Sequence, residues 1–593
     1  MVKPDRQIKT QETKSLTGFL IPAGILILSL ILRLTGISYG LPQRLHPDEW
    51  SQIQPALSMF SGDYNPHIFY YPSFTVYFYF LSFKLASFLM PAFFKLSASD
   101  SSFWMLGRII SAIFGSVNVI ALYLLAQKIY DRKTAIVSAL IFAIYPLHVQ
   151  SSHYAIVDIP LMLWITVALF FMCRAFDGEE SRSFLLAGIF CGLASSTKYT
   201  ALPLILILIV SYFVLEAGRE KKEFTERNAV RTLSVLCIIA GVFLLLFSLP
   251  LIKPYLQGFF ESAFSSDRKI EEGDLGFFIF GKLRSGVMVS GLILLSVPLL
   301  LMFLPSLRKY LSVNPFSSKL IYPLLLSMII FFIVSPYILL DFKAFLQDIK
   351  FSTKVTTLGY YENKIWSEGG GSSPFVAFLR MLGSSGKLLS FMSLAGIFLS
   401  LKKRALPIFL WAGIYLLMIS SWTLTMPRFI LPLVPFFILF AACAITRGGE
   451  FVSRVSGNRI QEWVAVSALV IILCFKPAQM TIGIEKQFLE KSTITEAFLW
   501  AEKNIPEKSR LIVIGDAPDM SLSGKKFNIV PKINSEADYL IAGFYERNKE
   551  DILKQTNLPN NLLPVKSFSA KEDEISGPEI YIYQLGSKVT SSR

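Results

Sequence analysis

The chain is a succession of long apolar runs joined by short charged connections, and that pattern limits its folds most severely. A helix that crosses ~30 Å of hydrocarbon needs roughly 20 apolar residues. Candidate spans lie near 17–38, 103–126, 134–149, 159–176, 183–198, 200–216, 232–250, 286–304, 320–340, 386–401, 405–421, 428–446 and 460–475, about thirteen in all. The composition agrees, with 53% hydrophobic and 17% charged residues against about 25% charged in a soluble domain. Disorder is excluded, because it needs low hydrophobicity and dense charge. The first run is long and no clean small-residue cleavage site follows it, so it reads as a span and not as a removed signal. Cys173, Cys191, Cys237, Cys443 and Cys474 all sit in apolar stretches, which does not indicate a disulfide framework.

The net charge of +15 is a topology signal. Lys3, Arg6, Lys9 and Lys14 precede the first span, and basic clusters follow the second, sixth, eighth, tenth and twelfth. Lys/Arg excess marks the cytoplasmic side, so the N-terminus is expected there and the C-terminal tail outside. The charge does not call for a nucleic-acid partner. The loop 39–102 falls outside on this parity. Its apolar stretch, Tyr70–Leu96, is expected to lie along the interface, since a further crossing would break the charge alternation.

Residues 476–593 differ in kind. A helical run, Thr493–Asn504, ends at Ile505-Pro506, and strand-like runs follow at Leu511–Ile514, Asn528–Pro531, Tyr539–Ala542 and Glu579–Leu585. Turn residues separate them. The expected architecture is an all-α polytopic membrane domain over residues 1–475 and a small extracytoplasmic α/β domain over 476–593. That tail carries no catalytic motif, and a docking or lid role is its simplest reading.

The chemistry gathers on the outside face. Arg44-Leu45-His46-Pro47-Asp48-Glu49-Trp50 lies in the first loop, with His67 beyond it. His148 and His153-Tyr154 precede Asp158-Ile159-Pro160 in the second loop. Carboxylates from two loops beside a membrane suit general-base work on a hydroxyl or amine. Asp48 is the stronger candidate, because Pro47 stiffens the turn and an apolar setting raises proton affinity; alone, the Asp48-Glu49 pair would read as a solvated loop cap. Lys198 ends the fifth span and Arg428 opens the twelfth. Cations at membrane depth are costly unless paired or snorkelled. A lone Lys is as readily explained by snorkelling, but two cations facing two carboxylates fit a lipid-linked phosphate, which Arg grips bidentately. The histidine spacing matches no zinc motif, so a divalent metal shared across loops is only a weak expectation.

These motifs in this order resemble one family. They are His46-Pro47-Asp48-Glu49, Tyr70-Tyr71-Pro72, His153-Tyr154-Ala155 with Asp158-Ile159-Pro160, Thr197-Lys198-Tyr199, Ser335-Pro336-Tyr337 with Leu340-Asp341-Phe342, and Arg428-Phe429-Ile430-Leu431-Pro432. The set resembles the GT-C fold polyprenyl-phosphate-sugar glycosyltransferases, nearest to the protein O-mannosyltransferases and aminoarabinose lipid A transferases (glycosyltransferase family 39 type). The resemblance implies a polyprenyl-phosphate-linked sugar as donor and a protein, lipid or glycan as acceptor. It implies an inverting, one-step transfer outside the cytoplasm, in a bacterial inner membrane. It makes Asp48, Glu49 and Asp158 catalytic and places Lys198, Arg428 and Tyr71 on the donor phosphate. His46, His153 and Tyr154 become acceptor or sugar contacts. The sequence has Tyr71-Pro72 where the aminoarabinose transferases carry Lys-Pro, which removes one phosphate cation. The rival classes are a lipid-linked glycan flippase or transporter and a glycan ligase or polymerase. Transporters favour ionisable residues near the midplane in repeated halves, whereas here they gather at the rim without a repeat.

Overall fold

The computed structural model describes residues 16–43, 45–94, 101–178, 180–217, 317–358, 360–361, 364–365, 374–384, 386–422, 424–530, 537–544, 563–569 and 577–585. The spans expected at 232–250 and 286–304 lie outside these residues.

The first half contains α1 (Leu16–Leu34), α2 (Pro47–Ser58), α3 (Phe74–Leu89), α4 (Ser102–Ile129), α5 (Arg132–Ala143), α6 (Pro146–Ser152), α7 (Asp158–Ala175), α8 (Glu180–Thr197) and α9 (Pro203–Ala217). The later described helices are α10 (Ser318–Val334), α11 (Tyr337–Leu340), α12 (Phe342–Leu358), α13 (Pro374–Ser384), α14 (Lys387–Leu399), α15 (Leu406–Ser420), α16 (Val434–Ser456), α17 (Arg459–Leu489) and α18 (Thr493–Asn504). Among the described residues, six helical segments are long and apolar enough to cross a membrane, and eight if each bent pair counts as one span. The chain is an integral membrane protein. One bent pair is α5 and α6, which meet at 59°. The break falls before Pro146 (a residue that fits a helix's first turn and not its interior).

Helix α4 packs on α5 and α7, α7 on α8, and α8 on α10. The last contact is close because α8 presents glycines: a side chain at Gly192 would put its Cβ 2.7 Å from the Ser327 carbonyl oxygen. The span expected at 460–475 is only the first part of α17, which runs on to Leu489. Helix α12 falls between the spans expected at 320–340 and 386–401, where the sequence pattern marks no span.

The apolar stretch of the first loop forms α3, which starts at Phe74 and not at Tyr70. One face buries Val76, Tyr79, Phe80 and Phe83 against Ile53, Met59, Phe103 and Trp104. Leu81, Leu85 and Phe88 on the other face are exposed, as they would be against lipid.

The tail holds one five-stranded sheet of β3 (Arg510–Gly515), β4 (Asn528–Ile529), β5 (Tyr539–Phe544), β6 (Lys566–Phe568) and β7 (Glu579–Gln584), in the order β4-β3-β5-β7-β6. A two-residue pairing in the membrane part, β1 (Tyr360–Tyr361) with β2 (Lys364–Ile365), precedes it. Strand β3 runs parallel to β4 and β5, and β7 antiparallel to β5 and β6. Helix α18 covers the sheet through Ala497, Phe498 and Ala501. Its N-cap is Ser492, whose hydroxyl accepts the Thr495 N–H at 3.1 Å.

Candidate active site

The site forms at one end of the helix bundle, where the start of α2, the segment before α3, the start of α7, the end of α8 and the 3-10 turn Pro427–Leu433 meet. Helix α2 begins at Pro47, with His46 as N-cap; the His46 Nδ1 accepts the Asp48 N–H at 3.3 Å. An imidazole that caps in this way must be neutral at Nδ1. Burial, then Arg428 and Arg108, lower the His46 pKa to about 4.

Asp48 and Glu49 are neighbours in the first turn of α2 but do different work. The Asp48 carboxylate forms an ion pair with Arg428, and both side chains are about a quarter exposed. Glu49 is fully buried. Its two oxygens accept the Arg108 Nε at 2.8 Å and Nη2 at 2.7 Å, and Oε1 also takes the Ala155 N–H at 2.9 Å. Arg108 in turn donates from Nη1 to the carbonyl oxygens of Ile37 and Tyr39 at 3.0 and 2.6 Å. Glu49 therefore fastens four pieces of chain together, and both its oxygens are engaged. Its geometry is that of a brace, not of a free base.

Asp158 opens α7, and its carboxylate accepts from Lys198 Nζ at 2.7 Å. This second pair is buried, with Asp158 2% and Lys198 7% exposed. The Lys198 ammonium lies 5.5 Å from the ring centroids of both Tyr71 and Phe429. Phe429 follows Arg428 directly, so one turn of chain carries both the cation of the first pair and an aromatic wall of the second. The four charged residues read from the sequence, Asp48, Asp158, Lys198 and Arg428, thus meet as two adjacent ion pairs. Tyr71 joins them through its ring.

The remaining expected contacts divide. His46 lies 4.4 Å, centroid to centroid, from Tyr154, and its Nδ1 is 3.9 Å from the Asp48 carboxylate. Tyr154 backs onto Arg108 and Phe488. His153 is turned away from the ion pairs. Its ring nitrogens face the Val149 and Thr35 carbonyl oxygens at 2.9 and 2.8 Å, and its ring packs 4.3 Å from Phe488. The ring thus points at backbone oxygens and not at Asp48 or Asp158. His148 lies inside α6 and bonds Arg33 at 2.7 Å. His67 pairs with Asp63 in the exposed loop at 2.8 Å. Among the described residues, no three His, Cys, Asp or Glu side chains group as a metal site.

Sequence reasoning passed over Arg108 and Arg33. Each is a cation set within an apolar run of helix, and each is buried. The cost of such a charge is itself a signal that a partner exists. It does not name the partner, which comes from a distant segment.

Fold and site together define a helical integral membrane protein with paired charges clustered at one end of its bundle. Residues 85–249 match the family model described as dolichyl-phosphate-mannose-protein mannosyltransferase. Among named relatives, the undecaprenyl phosphate-alpha-4-amino-4-deoxy-L-arabinose arabinosyl transferase of Pseudomonas aeruginosa is 28% identical over 222 residues, which is 35% of this chain and 38% of that one. The dolichyl-phosphate-mannose–protein mannosyltransferase 1 of Saccharomyces cerevisiae is 33% identical over 105 residues, 17% of this chain and 13% of that one. The chain thus matches well under half the length of these relatives. Among solved structures, ArnT from Cupriavidus metallidurans in the apo state aligns over 95% of this chain and 98% of its own, with 11% identity and a TM-score of 0.48. The oligosaccharyltransferase AglB from Archaeoglobus fulgidus aligns over 89% and 70%, with 13% identity and a TM-score of 0.46. The family match and the named relatives agree with the resemblance drawn from the motifs.

Proposed function

We propose that this chain is an integral membrane glycosyltransferase that moves a sugar from a polyprenyl-phosphate donor to a protein, lipid or glycan acceptor. The reaction runs on the extracytoplasmic face of a bacterial inner membrane, with the N-terminus in the cytoplasm and the sheet domain outside. The membrane part, residues 1–475 with the rest of α17, carries the transfer. The observation that supports this most directly is the meeting of Asp48–Arg428 and Asp158–Lys198 around Phe429.

The donor phosphate binds between Arg428 and Lys198, with the Tyr71 ring beside it and the polyprenyl tail in lipid. Its charge competes for the Arg428 guanidinium, which releases the Asp48 carboxylate. Asp48 then takes the proton of the acceptor hydroxyl or amine as the acceptor attacks the anomeric carbon. The bond from that carbon to the phosphate oxygen breaks, and the configuration inverts in one step. The leaving group is polyprenyl phosphate, and the two cations neutralise charge where it develops. Asp158 holds the Lys198 ammonium in place. Glu49 sets the first turn of α2 and so aims Asp48.

The test supplies membranes carrying the chain with a polyprenyl-phosphate sugar labelled in the sugar. Label should pass to acceptor without added nucleotide, leaving unlabelled polyprenyl phosphate. Asp48→Asn membranes with the same amount of protein should transfer almost none. Equal rates for the two would remove Asp48 as the base, and no transfer by wild type would overturn the function.

A further inference from the structure

The chain from Ile68 to Ser73 belongs to no helix or strand, yet it supplies the Tyr71 ring beside Lys198. Something outside the segment must fix it, since an irregular stretch takes its position from side-chain contacts and caps. The fixing point is the Phe69 peptide. Its N–H donates to the Asp348 carboxylate of α12 at 2.6 Å. Its carbonyl oxygen accepts the Tyr199 hydroxyl at 3.1 Å. The Phe69 ring is fully buried and meets Phe345 of α12 edge-on, with centroids 6.5 Å apart. Phe345 also packs on Tyr199, at 6.2 Å.

Two further bonds bind α12 to the same region. Asn65 Nδ2 donates to Asp341 Oδ2 at 2.8 Å, just before the helix. The Leu424 N–H donates to the Thr356 carbonyl oxygen at 3.2 Å, near its end. Helix α12 therefore lies as a strap from the first loop to the segment leading into Arg428. Lys198 and Tyr199 are consecutive. The first sits over the Tyr71 ring and the second holds the Phe69 carbonyl, so two adjacent residues at the end of α8 grip two points of one short segment. Burial raises the Asp348 pKa, partly offset by the Phe69 N–H, which lowers it. The carboxylate gives up water to make this one backbone bond.

We infer that Asp348, acting with Tyr199 through the Phe69 peptide, is a positioning residue that fixes the Tyr71 wall of the donor-phosphate site against Lys198. This rests on the glycosyltransferase reading above. Asp348 does not touch the donor; it sets where the Tyr71 ring stands.

The test uses the purified full-length chain and two readouts. The first is amide hydrogen exchange over residues 68–72 without ligand. Asp348→Ala should speed exchange of the Phe69 amide by at least about tenfold, the loss expected for one charge-assisted hydrogen bond. Asp348→Asn, which keeps an acceptor oxygen, should recover much of the protection. The second is equilibrium binding of a radiolabelled polyprenyl phosphate. Asp348→Ala should weaken it by about tenfold, Tyr199→Phe by less, and the double variant by less than the product of the two, because both act on one peptide. Unchanged Phe69 exchange in Asp348→Ala overturns the clasp. Faster exchange with unchanged binding overturns its role in the donor site. If wild type binds no polyprenyl phosphate while the exchange result holds, the fault lies in the functional reading and the donor-site role falls with it. A variant that loses its fold shows faster exchange throughout; Asp348→Asn, with a smaller rise confined to 68–72, then decides.

Discussion

Two Arg–carboxylate pairs start from adjacent residues of α2 and end in opposite environments. Glu49–Arg108 is buried, bidentate and surrounded by further bonds to backbone. Asp48–Arg428 stands at a partly open edge, with each side chain about a quarter exposed. The successive residues of a helix point about 100° apart, so one step along the chain turns a side chain from the interior to the site. The buried pair is costly to break because each partner would be left as an uncompensated charge. The edge pair is one that a competing anion can reach, and a charge at such an edge can change partners during a reaction. A closed pair and a partly open one are thus built side by side from the same chemistry.

The contrast can be broken by crossed substitutions. Asp48→Asn should reduce the rate of transfer by about 10²–10⁴-fold, the share typical of a general base, with the thermal midpoint in detergent little changed. Its KM for donor should not rise, since Arg428 loses a competitor for the phosphate. Glu49→Gln should do the reverse and remove stability, by about 3–5 kcal/mol, read as a fall in the thermal midpoint and in folded yield. If instead Glu49→Gln keeps its midpoint and loses only rate, Glu49 belongs to the chemistry and the division between the pairs fails. Arg428→Ala should raise the KM for donor by about 10–100-fold, the worth of a charged hydrogen-bond pair partly open to water; a KM within twofold of wild type would take Arg428 off the phosphate.

How much of this was legible beforehand depended on whether the information is local. Helix α18 was read with its observed bounds, because Ser492 caps it and Ile505-Pro506 ends it. The runs at 511–514 and 539–542 became β3 and β5, whose apolar residues fill the sheet core. Strand β6, Lys566-Ser567-Phe568, escaped notice; it is a three-residue edge with no alternating apolar pattern. Helix α12 was hidden by its charges, although Asp341 accepts the Ala344 N–H at 3.4 Å as a helix-opening residue does. In the membrane part, residue types and their places at helix ends single out Asp48, Asp158, Lys198 and Arg428, which meet as two ion pairs. Nothing local separates Asp48 from Glu49. That distinction resides in Arg108, which comes from another span. The direction of the His153 ring is not local either: the Thr35 carbonyl it faces is placed by tertiary packing.

The smallest effect concerns His46, at the boundary between the two pairs. Its pKa falls from 6.5 to about 4 on folding, through burial and then the nearby arginines. Between those values the unfolded chain binds a proton that the folded one refuses, so stability should rise with pH across that window. His46→Asn keeps a capping oxygen for the Asp48 N–H and should flatten the slope by up to one proton. An unaltered slope would mean that His46 takes up its proton in the folded protein.

The length of α17 has a consequence of its own. Its 31 residues extend about 46 Å at 1.5 Å each, beyond the ~30 Å of hydrocarbon. The helix therefore has more length than one crossing uses, and its C-terminal end leads into the sheet domain. Near its tip, Phe488 presses against Gly36, where any side chain would collide at 2.6 Å. Gln43 and Asp519 form a guy line from the first loop to the sheet domain, with the Asp519 N–H reaching the Gln43 oxygen at 2.7 Å. Both ties from the end of the chain thus land between Gly36 and Gln43, a short stretch two of whose carbonyls are the ones Arg108 holds.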